Sequence, residues 1–168
     1  ELFGFNHYVP MGKPLLVVTS VDSHLPSWLK CDHFDRKIKT FTTKTFTALH
    51  TTQVDMSGQQ VLTSTPEQAF AECLLLAPSL YSYMDLYYIM EQLTSLNPES
   101  VQSLLEHTGN QKVKRMYLYM AEKSGHYWFE ELNLSKINLG SSKVQLAQGG
   151  SYISKYKMTI PTELKDYE

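Results

Sequence analysis

Apolar positions along the chain change period near residue 65, from short β-branched runs to helical three- and four-residue spacing, and return to alternation after residue 142. PLLVVTSV (14–21) is an apolar run closed by Asp22 and Ser23 and predicts a buried strand. Pro26 to Phe34 fits about two turns of amphipathic helix. Lys37 to Thr42 sets Ile38 and Phe41 among polar residues, as an outer strand does. Thr51–Met56 and Gln59–Thr63 flank Ser57-Gly58, where glycine supplies the positive φ of a tight turn, so the spacing predicts a hairpin.

Four helices follow. Thr65-Pro66-Glu67-Gln68 combines a capping hydroxyl, a proline at the first helical position and a glutamine three residues after the cap, starting a helix that runs to Ala77 and stops before Pro78. The second is capped by Ser82 and carries Leu86, Ile89, Met90, Leu93 and Leu96 on one face. Asn97-Pro98 starts the third, with Val101, Leu104 and Leu105 inward and Gly109 at its end. In the fourth, Asn110 is the cap and Gly125 the stop, and Val113, Met116, Tyr117, Met120, Ala121 and Ser124 form one apolar stripe. Lys112, Arg115, Tyr119, Glu122 and Lys123 fall on the opposite side, which predicts a basic face turned to solvent.

After a short turn at Trp128 to Leu132, KVQLA (143–147), Gly149-Gly150 and YISKYKMTI (152–160) read as a closing hairpin, with Tyr156, Met158 and Ile160 on one face and Lys155 and Lys157 on the other. Strands, then a helical block, then strands is the order of an α+β fold rather than of an alternating parallel sheet. One domain over 1–168 is expected, mainly β over 1–64, helical over 65–132 and closed by the hairpin over 133–168. The opening ELFGF resembles a helix end stopped by Gly4 and predicts a preceding element.

Composition adds that 168 residues, 42% of them hydrophobic, can bury a sizeable core. No run approaches the apolar length of a membrane span, and Cys31 and Cys73 make no disulfide framework, so a cytoplasmic protein is expected. The net charge is −2, but Thr45 to Gln111 contains no Lys or Arg, while Leu132 to Thr162 carries Lys136, Lys143, Lys155 and Lys157 and no acid. Such asymmetry suits a polyanion or an acidic partner at one end of the molecule.

Candidate chemistry is sparse. His24, Cys31 and His33 match no compact zinc spacing. His126 has no serine or cysteine nucleophile motif beside it, and its place after a helix stop suits it to meeting helix-end carbonyls. Asp35-Arg36-Lys37 and Glu163-Leu164-Lys165 supply the acid-x-Lys pattern of metal-dependent nucleases, a triplet that chance also produces. No metal or cofactor is expected. Tyr81, Tyr83, Tyr87 and Tyr88 crowd the lysine-free block and suit a core or a protein interface better than base stacking. The best-supported interaction is with phosphates, through Lys112, Lys114, Arg115 and Lys123 on the fourth helix and Lys143, Lys155 and Lys157 near the last hairpin.

LFGFNHYVPMG, LPSWLK, STPEQAFAECL, MEQLTSLNPESVQSLLE, KVKRMYLYMAEKSGHYWFEELNLSKINLGSSK and GGSYISKYKMTIPTEL together, in this order, resemble the AbiEi family, antitoxins of type IV abortive-infection toxin–antitoxin systems. The resemblance implies the C-terminal domain of a protein whose N-terminal winged helix-turn-helix, absent here, binds operator DNA. It also implies a cognate nucleotidyltransferase-like, GTP-using toxin, counteracted without a stable complex, and a domain that supports autorepression. It implies no catalytic residues. Two readings follow: a non-enzymatic antitoxin and regulatory domain with a basic surface, or a divalent-metal nuclease or nucleotide-processing enzyme using Asp35 and Lys37.

Overall fold

The structure, a computed structural model, describes residues 15–20, 27, 38–56 and 58–168. The helix expected over 26–34 and the ELFGF segment lie outside these residues. The described part is α+β. Strand β1 (Leu15–Ser20) pairs in parallel with β2 (Ile38–Thr43), Leu15 opposite Ile38 and Ser20 opposite Thr43. Strands β3 (Thr51–Met56) and β4 (Gln59–Ser64) form the expected antiparallel hairpin, Thr51 opposite Ser64, and Gly58 in the turn has φ +84°.

The first four helices each start at a capping side chain. In α1 (Pro66–Leu76) the Thr65 hydroxyl accepts from the Gln68 amide at 3.5 Å, and in α2 (Tyr83–Gln92) Ser82 accepts from Asp85 at 3.0 Å. Asn97 accepts from Ser100 at 3.1 Å at the head of α3 (Pro98–Glu106). Asn110 accepts from Lys112 at 2.9 Å and Val113 at 3.3 Å at the head of α4 (Gln111–Lys123). Two details differ from expectation. The Gln68 side chain is fully buried and donates to Glu72 at 2.9 Å. Gly109 lies beyond the end of α3, where its amide donates to the Thr45 carbonyl at 2.7 Å, so 45–47 and 107–109 run side by side.

Helix α4 is the axis of the molecule. It packs against α1, α2 and the one-turn helix α5 (Tyr127–Glu130), and Val113, Met116, Tyr117, Leu118, Met120 and Ala121 are all fully buried. The opposite side of α4 is covered by the loop 137–140 and by a three-stranded sheet of β5 (Val144–Gln145), β6 (Ser151–Ile153) and β7 (Met158–Ile160), in spatial order β5-β7-β6.

This sheet corrects the closing hairpin. The antiparallel pair is β6 with β7, its turn spans 154–157, and β5 joins β7 in parallel. Gly149-Gly150 lies in the crossover instead, because Gly150 passes so near Ile160 that an added Cβ would strike its carbonyl. A last helix, α6 (Thr162–Asp166), packs against α2.

Candidate functional site

Amphipathic spacing assigned α4 an exposed basic face, and the structure corrects that. Arg115 is 1% and Lys114 4% exposed, and Tyr119 is buried with them. Each cation of this helix finds main-chain carbonyls. Arg115 Nε and Nη2 donate to Leu139 O at 2.9 and 2.6 Å, and Nη1 donates to Lys157 O at 2.9 Å. Lys114 Nζ donates to Asn138 O at 3.1 Å, and the Gln111 amide, in its satisfied orientation, donates to Asn138 and Leu139. Lys112, half-buried, donates to Ala77 O at 2.6 Å and Leu75 O at 3.4 Å, closing the C-terminus of α1, whose last turn has no basic residue. Lys123 donates to Lys165 O at 3.3 Å and to Tyr167 O, with its ammonium 5.6 Å from the Tyr87 ring centre.

These cations therefore hold the covering segments onto α4. Burial also pushes the Lys112 and Lys114 ammonium groups below their ordinary pKa, the latter against a raising pull from Glu106. Long aliphatic stems let such side chains cover apolar surface while the charged tips reach carbonyls. Helical spacing carries no mark that separates this use from a solvated face.

His126 and Trp128 serve α2 in the same way. His126 Nε2 lies 2.6 Å from Met90 O, and the Trp128 indole donates to Leu93 O at 2.8 Å, the two rings stacked 5.4 Å apart. A carbonyl only accepts, so Nε2 carries the proton. The expected meeting of His126 with helix-end carbonyls occurs, at α2 rather than at α4.

On the small sheet that covers α4 the lysine side chains stay in solvent. Lys143, Lys155 and Lys157 are exposed. Lys155 pairs with Glu122, which also accepts from the Tyr156 hydroxyl at 2.8 Å, so part of that charge is neutralised. Lys143 and Lys157 make no ion pair among the described residues, and Lys143 Nζ stands 5.4 Å from the ring centre of Tyr152, a residue the sequence pattern did not single out. The structure thus separates the seven candidates into an architectural group on α4 and a surface group around the small sheet.

The chain matches over residues 13–161 the family model described as transcriptional regulator, AbiEi antitoxin, type IV TA system. It belongs to the AbiEi antitoxin family. No curated protein matches the chain. Among solved structures it is similar to the RV2827C protein from Mycobacterium tuberculosis, with a TM-score of 0.63 at 14% identity, covering 94% of this chain and 58% of that one. That likeness is one of fold, and this AbiEi chain spans little more than half the length of that protein.

Nothing in the described part of the AbiEi chain assembles the metal site of the second reading. No group of three or more His, Cys, Asp and Glu side chains there could hold an ion. Asp35, Lys37, His24, Cys31 and His33 lie outside the described residues, and Glu163 and Lys165 are exposed on α6. Cys73 is not in a disulfide. No described helix is long and apolar enough to cross a membrane.

Proposed function

We propose that this chain is the antitoxin of a type IV pair, acting without catalysis to counteract a nucleotidyltransferase-like toxin and to support repression of its own operon. Membership of the AbiEi family across residues 13–161 is the observation that carries this reading. The charge distribution supports a contribution from the sheet end, where Lys143 and Lys157 stand in solvent with Lys155 beside them, whereas Lys112, Lys114 and Arg115 are engaged with carbonyls of the fold.

Co-expression with the neighbouring toxin gene tests the first part: rescue of growth is expected, and a toxic culture at full antitoxin level overturns the reading. For operator binding, each phosphate contact removed from a duplex lowers the salt slope by about 0.9. Lys143→Gln with Lys157→Gln should therefore reduce the slope by about 1.8, measured by gel shift of the chain carrying its operator-binding domain. An unchanged slope would place the contribution elsewhere.

A further inference from the structure

We propose that the outer face of the β5-β7-β6 sheet binds single-stranded nucleic acid, with Tyr152 as a stacking platform for a base and Lys143 as the neighbouring phosphate ligand. Register puts three side chains in one row across this face. Gln145 lies opposite Thr159, and Thr159 opposite Tyr152, while the alternate positions Val144, Met158 and Ile153 face the core. Tyr152 is 47% exposed although it sits in the middle of a strand, and Lys143 approaches its ring at 5.4 Å. A ring half open to solvent and held beside an ammonium offers a π-face and a positive charge together, the pairing by which unstacked bases and their phosphates are bound.

Charge agrees with that occupant. Leu132 to Thr162 contains four lysines and no acid, and of the lysines on the sheet only Lys155 meets a carboxylate among the described residues, that of Glu122. The exposed Gln145 and Gln148 add side-chain amides that can each donate and accept. A base inside a duplex keeps its faces covered by its neighbours, so a lone exposed ring favours a single strand over a helix. The proposal does not depend on the antitoxin reading, since it concerns a different strand form from operator duplex.

The test is fluorescence anisotropy of the full chain with a labelled twelve-nucleotide single strand, as DNA and as RNA, and with the duplex of the same sequence, over a range of potassium chloride. Single strands should bind more tightly than duplex. Tyr152→Leu should weaken single-strand binding about tenfold with an unchanged melting temperature, and Tyr152→Trp should retain it. Lys143→Gln should lower the single-strand salt slope by about 0.7. Equal binding of duplex and single strand, or single-strand binding untouched by Tyr152→Leu, would overturn the proposal.

Discussion

Arg115 donates twice to the carbonyl oxygen of Leu139, from Nε at 2.9 Å and from Nη2 at 2.6 Å, so a buried guanidinium on the central helix holds a covering loop by its main chain. A third donor reaches Lys157 O, which also accepts from the Val144 amide at 3.0 Å, so the same side chain anchors the sheet turn. No carboxylate takes part in these bonds; carbonyl dipoles compensate the charge.

Lysine at this position keeps the charge and loses the planar fork. Arg115→Lys should therefore destabilise the fold by about 2–3 kcal/mol, because one ammonium cannot reach both segments. Urea unfolding with an unchanged m-value checks this. A surface phosphate ligand would behave oppositely, tolerating Arg115→Lys in the fold and losing salt slope when neutralised.

His126→Phe preserves the stack on Trp128 but removes one of the two donors to Met90 O, which keeps the Leu93 amide at 2.9 Å. A loss of about 0.5–1.5 kcal/mol is expected. Hydrogen exchange adds a local readout: amides in the last turn of α2 should lose protection before those of α3.

Lys157 has φ +48°, a left-handed conformation that a side chain raises in energy. Lys157→Gly should stabilise the chain by about 0.5–1 kcal/mol, and a β-branched Lys157→Val should destabilise it. Thermal melts of the two variants should shift in opposite directions.

Glu72 is buried beneath the β3–β4 hairpin, where it accepts from Ser64 at 3.0 Å and Gln68 at 2.9 Å. Burial raises its pKa above the ordinary 4.5, and those two hydrogen bonds only partly oppose it. The folded state thus holds a proton that the unfolded state releases, so this group's contribution is full below 4.5 and is lost as pH rises through the folded value. Glu72→Gln should flatten that fall and raise stability at neutral pH relative to wild type. Unfolding free energies measured from pH 4 to 8 check it; an identical profile in both proteins would contradict the buried, proton-retaining state.

Local signals were legible wherever a residue acts within its own turn. Thr65, Ser82, Asn97 and Asn110 cap the helices they precede, Gly58 turns its hairpin, and Gly125 follows α4 with φ +64°. Their acceptor oxygens or conformational freedom serve groups at most three residues away, so spacing suffices to find them. The three-stranded closing sheet was not legible, because Gly149-Gly150 carries the same letters in a crossover as in a turn, and only the approach of Ile160 distinguishes them. Tyr152 escaped notice for a related reason: its partner, Lys143, becomes a neighbour only once β6 and β5 flank β7.

By itself the amino-acid order determined the β3–β4 hairpin, the four helices α1 to α4 with their caps, the apolar face of α4 and the family to which the chain belongs. Tertiary structure alone decided what the cations of α4 do. A lysine or arginine opposite an apolar stripe is stable in water and equally stable against unsatisfied carbonyls, since both satisfy its donors. Which one it meets depends on segments 24 to 44 residues away along the chain, and folding brought those carbonyls to Lys114, Arg115 and Lys123. The solvent kept the lysines of the small sheet.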